Sequence, residues 1–235
     1  MTPQSRRPRT LLAAVVGALV AGGLAVGVAV ARGADDWSDP HVAPTASGTL
    51  AAGFVRPSGT PSPEATITPA PGSWEDVRPS GRLRVVLLTT DEDDGPTATL
   101  AAAVRAWADD ADVSLRTVVA DGAADHLPAV LRAIDLHPDL VISAGDALVD
   151  PLAQVTPSHL DQQFLVVGAE LAEPTANVTA ADWSGASFRG EGLGASSAYD
   201  ASTFTPERSR AAVEAGVASV LSGLTGIVVW LDDAS

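Results

Sequence analysis

Acidic and hydroxyl side chains gather at the places along this chain where an apolar run gives way to a glycine or a polar turn. Thr90 and Asp91 follow Leu83-Arg-Val-Val-Leu-Leu88, and Asp91 opens the acidic run Asp91-Glu-Asp-Asp94. Ser143, Gly145 and Asp146 follow Leu140-Val-Ile142; Glu170 follows Phe164-Leu-Val-Val167, and Asp182 and Trp183 come shortly after. Carboxylates accept hydrogen bonds and hydroxyls both donate and accept, while glycine lets a ligand approach the backbone. Such a set can make hydrogen bonds to a ligand wherever the fold brings its members to one edge. The candidate ligand-binding residues are therefore Thr90, Asp91, Ser143, Gly145, Asp146, Glu170, Asp182 and Trp183.

Other chemistries fail on residue types. All 14 basic residues are arginine, so Schiff-base formation and lysine-dependent phosphate binding are absent, and there is no cysteine for a disulfide, a thiolate metal site or a lipid anchor. Acids at a strand end also suit phosphoryl acceptance, but that needs a lysine. As a calcium loop the run from Asp91 places Gly95 fifth rather than sixth, with Ala102 where a closing Glu belongs. His126, His137 and His159 share no metal-ligand spacing. Ser187 and Ser196 both miss the Gly-x-Ser-x-Gly elbow, and Gly190-Glu-Gly-Leu-Gly194 lacks the long strand that a dinucleotide loop follows. No enzymatic activity, cofactor or metal is expected.

These residues need a framework, and the apolar pattern from Arg82 onward supplies one. Leu83–Leu88, Val113–Val119, Leu140–Ile142, Phe164–Val167, Asn177–Thr179 and Ile227–Leu231 read as strands, the first a near-continuous apolar run of the kind covered on both sheet faces. Between them lie helical periods. Leu100, Ala103, Val104 and Trp107 line one face after Pro96; Leu127, Val130, Leu131 and Ile134 line another after Asp125; Leu148, Val149 and Leu152 fall in a short helix over 146–155. Thr205-Pro206-Glu207 gives a cap, a first-turn proline and a first-turn acid to a helix with Val213, Val217, Val220 and Leu221 inward, ended by Gly223. Strand–helix alternation predicts an α/β fold with a single doubly wound parallel sheet, Rossmann-like, over residues 82–235. Ligands of such sheets bind beyond the carboxyl ends of the strands, where the candidate residues fall; Asp182 and Trp183 are expected at the rim.

The same stretches carry a resemblance. Asp139-Leu-Val-Ile-Ser-Ala-Gly145, Gln163-Phe-Leu-Val-Val-Gly168, Ala176-Asn-Val-Thr179 and Ser187-Phe-Arg-Gly190 resemble the basic membrane protein (BMP) family of ABC-transporter substrate-binding proteins over roughly residues 82–190. The resemblance implies one lobe of a type I periplasmic-binding fold, a nucleoside or similar solute, and a transporter permease as partner. Two departures stand out. The first loop lacks the aromatic that would stack on a base, and Gly168 stands where the family ends its fourth strand with Asp. After Gly190 the pattern returns to the first lobe, so a second lobe is not expected.

The remaining sequence speaks to location. Leu11–Ala31 holds seven Ala, six Val, four Leu and four Gly with no charge, behind Arg6, Arg7 and Arg9. At about 1.5 Å per residue it spans roughly 30 Å, enough for a bilayer, and the arginines orient residues 1–10 to the cytoplasm. The alternative is a signal sequence cleaved after Ala29-Val-Ala31. Residues 32–81, rich in Pro, Ser, Thr and Gly, read as a disordered linker, with Trp37 a candidate interfacial anchor. Residues 1–81 carry six Arg and six Asp/Glu, so the whole net charge of −15 belongs to residues 82–235, which disfavours nucleic acid and anionic lipid. The expectation is a membrane-tethered, extracytoplasmic solute-binding-like protein, the alternative an envelope scaffold that has lost its ligand.

Overall fold

The computed structural model describes residues 37–56, 59–90, 95–186 and 188–231. The chain divides into two compact units, Met1–Pro40 and His41–Ser235. The membrane segment predicted over Leu11–Ala31 and the candidate residue Asp91 lie outside the described residues. Among the described residues no helix is long and apolar enough to cross a membrane.

In the second unit the strands are β1 (Ala46–Ser47), β2 (Thr66–Ile67), β3 (Arg78–Pro79), β4 (Arg84–Thr90), β5 (Ser114–Ala120), β6 (Leu140–Ala144), β7 (Gln163–Val167), β8 (Val178–Trp183) and β9 (Val228–Leu231). The helices are α1 (Gly95–Asp110), α2 (His126–Asp135), α3 (Val149–Val155) and α4 (Pro206–Leu221). Seven strands form one sheet in the order β2-β9-β8-β7-β6-β4-β5, every neighbouring pair parallel. Helices α1 and α4 pack on each other and on one face, while α2 and α3 cover the other. The expected doubly wound α/β sheet is what forms. Its central strands read as apolar runs because both faces are covered: Val85 to Leu88 and Leu140 to Ile142 are all buried. Alternate residues serve the two layers, with Val85, Leu87, Ile142, Leu165 and Val167 meeting Leu100, Val104, Val213 and Val217.

The linker expectation is corrected. Residues 41–81 belong to the folded unit: Phe54, Trp74 and Val77 are buried in the core, Phe54 and Trp74 meeting edge to face at 6.5 Å. Strand β2 extends the main sheet beside β9, with Glu64 N–H donating to the Gly226 carbonyl and Val228 N–H to that of Ala65. At the stretch's start His41 Nε2 lies 2.8 Å from Asp139 Oδ2, which also accepts from Arg84 N–H. Composition misleads here because a few widely spaced aromatic and aliphatic side chains do the burying. The prolines that signal disorder in a polar chain also shrink the unfolded ensemble, lowering the cost of ordering an extended strap.

Helix α2 differs too. Ala129, Val130 and Ala133 are its buried residues, while Leu127 and Leu131, expected inward, are 40% and 38% exposed. The small alanines allow close approach to the sheet, and the bulkier leucines are left at its margin. Strand β8 runs four residues beyond the predicted Thr179, which changes the standing of Asp182 and Trp183.

Candidate functional site at the carboxyl ends of the strands

Because the strands are parallel, their carboxyl ends share one edge of the sheet. Thr90 ends β4, Gly145 and Asp146 follow β6, Glu170 follows β7, and Asp182 and Trp183 end β8. The chain leaves β4 toward β5 and then crosses back to β6, so the gap between β4 and β6 is the switch point where such sheets place ligands.

At that switch point Thr90 and Asp146 are partly exposed. Gly145 has φ +84°, donates its N–H to the Val167 carbonyl, and leaves room for the Thr97 hydroxyl, which a Cβ there would meet at 3.0 Å. Ser143, expected in the loop, sits inside β6 instead, 1% exposed and facing the α2–α3 layer, with its hydroxyl unpartnered. The strand is two residues longer than its apolar triplet, and that draws Ser143 into the sheet.

The β7–β8 end is different in kind. Asp182 is fully buried and Glu170 is 6% exposed. Neither Asp182 nor Trp183 forms a rim: the strand continues through both, and alternation sends their side chains to opposite faces. Trp183 packs edge to face on Phe204 at 5.0 Å and donates from Nε1 to the Thr203 hydroxyl at 3.0 Å. Asp182 Oδ1 accepts from the Trp183 N–H at 2.9 Å, and Oδ2 lies 3.5 Å from the Ser196 hydroxyl, which also serves Glu170. Arg189 Nε lies 3.2 Å from Glu170 Oε1, an ion pair without hydrogen-bond alignment. Glu170 is fixed in turn by its own N–H, which donates to the Phe188 carbonyl.

Two carboxyls thus lie together in a place shielded from water, with Glu170 alone in ion-pair contact with Arg189. Burial pushes Asp182 up to about 8, and the Glu170 charge adds to the rise, with Trp183 N–H, Ser196 and Arg189 opposing it. Burial also raises Glu170, against the pull of Arg189 and Ser196. A neutral Asp182 carboxyl can donate as well as accept, and with the residue fully buried both functions face its protein neighbours, the Trp183 N–H and the Ser196 hydroxyl. Among the described residues no three acids or histidines are grouped to hold a metal ion.

The sequence had pointed to Glu170 and Asp182 but not to Arg189 and Ser196, whose loop returns over the strand ends. Arg189 is one of only eight cations in residues 82–235, and it stands inside the Ser187-Phe-Arg-Gly190 motif. A separate cavity of about 1190 Å³ lies between the strap at 68–75, the start of α4 and Leu231, and it contains none of the predicted site residues.

No protein-family model and no curated protein matches the chain. Among solved structures it is similar to an ABC transporter solute-binding protein from Aeropyrum pernix K1 (20% identity, TM-score 0.39, covering 43% of this chain and 29% of that one). A second such protein, from Conexibacter woesei DSM 14684, gives 25% identity and a TM-score of 0.34 over 43% of this chain and 35% of that one. An ABC transporter solute binding protein from Bradyrhizobium sp. BTAi1 with bound bis-tris gives 13% identity and a TM-score of 0.34, over 83% of this chain and 61% of that one. The chain spans less than two thirds of each of these three. At such identities and scores the likeness concerns the α/β architecture alone.

Proposed function

We propose that the folded unit is a non-enzymatic, extracytoplasmic binding module, tethered through Leu11–Ala31, that holds a small solute rich in hydroxyl or amine groups at the carboxyl ends of β4, β6, β7 and β8. The observation that carries this reading is the Glu170–Asp182 pair. Burying two carboxyls beside one arginine is costly, and a fold has little reason to retain that cost away from a site. The resemblance to the basic membrane protein family, with its nucleoside-like ligands and transporter permease, supports the same reading and names the solutes to try first.

The test is a melting-temperature screen of the purified chain against nucleosides and sugars. A stabilising solute whose shift disappears in Glu170→Gln, each shift being read against that variant's own unliganded melting point, supports the reading. Absence of any shift favours the second reading, an envelope scaffold, for which one observation speaks: Arg189 and Ser196 of the same chain already engage both carboxyls.

A further inference from the structure

The seven-stranded sheet has one long open edge. Strand β5 pairs only with β4, and among the described residues nothing pairs with its other side. Its sequence, Ser114-Leu-Arg-Thr-Val-Val-Ala120, contains no acid, although residues 82–235 carry the whole net charge of −15. The acidic repulsion that a net charge of −15 sets between copies therefore has no source on β5 itself, whose one charged residue is Arg116. The strand is also rich in β-branched residues; Val119 is 44% exposed on it, and Leu127 and Leu131 of the adjoining α2 are 40% and 38% exposed. An edge of this kind is a template for pairing with its own kind, since two identical strands run antiparallel about a two-fold axis.

One side chain lies across that edge. Arg132, on α2, donates from Nη1 to Asp125 Oδ1 at 2.7 Å and from Nη2 to Asp125 Oδ2 at 2.6 Å, a bidentate pair. Nη2 also lies 3.3 Å from the Val119 carbonyl oxygen, to which it donates. Ser114 N–H faces inward, to Leu83 of the neighbouring chain segment, so the alternation of a parallel strand turns the odd-numbered residues 115, 117 and 119 outward. The carbonyl that Arg132 occupies is therefore one that an added strand would need. Asp125 is fixed in turn by the Asp121 N–H, 3.0 Å from Oδ2, and the hydrogen bonds from Arg132 hold its carboxyl well below the usual carboxylate range. Although Asp125 precedes α2, its side chain makes no cap hydrogen bond to that helix; it is turned to the arginine.

We propose that the Asp125–Arg132 pair is an edge guard, holding a guanidinium over the outward carbonyl of Val119 so that β5 does not pair with β5 of a second copy. Exposed ion pairs add little stability, so a bidentate pair this well supported is better explained by what it blocks.

The chain has no cysteine, which permits a geometric test in the full-length protein. Thr117, exposed and outward in register, would face its own copy across the two-fold axis at about 5.5 Å between Cα atoms, within disulfide range. Under mild oxidation Thr117→Cys alone should stay uncrosslinked, while Thr117→Cys with Arg132→Ala should form a disulfide-linked dimer at least tenfold faster. Asp125→Asn in place of Arg132→Ala, which loosens the arginine without removing it, should give an intermediate rate. Ser222→Cys with Arg132→Ala reports collision alone, because Ser222 is exposed at the distant end of α4. Equal crosslinking at position 117 with and without Arg132 would overturn the proposal. So would crosslinking at position 222 as fast as at 117, or no dimer in either background.

Discussion

The two halves of the sheet's carboxyl edge were built by the same topology and ended in opposite electrostatic states. At the β4–β6 switch point Thr90 and Asp146 stand partly in water around a glycine turn. At the β7–β8 end Glu170 and Asp182 are buried with a single arginine and raised toward neutrality. The switch-point rule follows from chain direction alone, so it locates a concavity without saying where the energy is stored. Here the buried carboxyls lie at the β7–β8 end and not at the switch point. The first half is a partly exposed polar surface, and the second is a buried pair of carboxyls whose charged forms burial disfavours.

That contrast is most exposed to pH. Asp182 is raised to about 8 in the folded chain from an ordinary value of 3.8, so between those limits the unfolded chain has lost a proton that the folded chain still holds. Stability then falls as pH climbs through this window and is level below it. At about 1.4 kcal/mol per unit, the loss attributable to Asp182 reaches up to roughly 5 kcal/mol by pH 8. Asp182→Asn keeps an acceptor for the Trp183 N–H and removes the titration. The variant should match the parent near pH 4 and melt well above it at pH 8. A parent whose melting point is flat from pH 5 to pH 8 would break the contrast between the two halves.

Glycine substitutions sharpen the same comparison at a smaller scale. Gly168, at the end of β7, has φ +78°, and a Cβ there would sit 2.8 Å from Leu100 Cδ1 and 2.9 Å from Phe204 Cε1. Gly145, at the end of β6, is equally left-handed, but its Cβ would meet only the Thr97 hydroxyl, at 3.0 Å. Backbone strain is common to both; the clash with packed side chains belongs to Gly168. Gly168→Ala should cost about 3 kcal/mol and Gly145→Ala about 1–2 kcal/mol in denaturant unfolding. Equal costs would mean that the β7–β8 end is no more tightly packed than the switch point.

Much of this arrangement was legible because period reveals burial. The runs at Val85, Val141 and Leu165 marked central strands, and the stripe Leu100–Val104–Trp107 marked the face of α1, since both patterns are set by the layer that covers them. Three features were not legible, each for a physical reason. The strap at 41–81 buries its apolar residues at spacings that follow no period, so Phe54 and Trp74 looked like isolated hydrophobics in a polar stretch. Between Thr179 and Asp182 the strand holds only Ala180 and Ala181, which give little apolar signal. Arg189 and Ser196 reach the carboxyls through a loop closure, and loop closure leaves no trace in local sequence. Its contacts are long-range: Gly185 N–H to the Ser197 hydroxyl, and Asp200 N–H to the Gly185 carbonyl.

The smallest expected effect is at Asp146, and it separates a binding surface from a structural one. Asp146 is partly exposed beside the switch point, so Asp146→Ala should change stability by less than about 0.5 kcal/mol, a shift of no more than about 2 °C in melting point. Against that steady baseline any loss of solute-induced stabilisation is lost binding rather than lost folding. Glu170→Gln offers no such clean baseline, because removing a buried charge also relieves the Asp182 carboxyl of a like-charged neighbour. If a solute stabilises the parent and Asp146→Ala abolishes the shift, the ligand spans the switch point. If the shift survives in Asp146→Ala and vanishes in Glu170→Gln, the ligand sits over the β7–β8 end alone. Measured side by side at one pH, the two variants decide which half of the carboxyl edge holds the ligand.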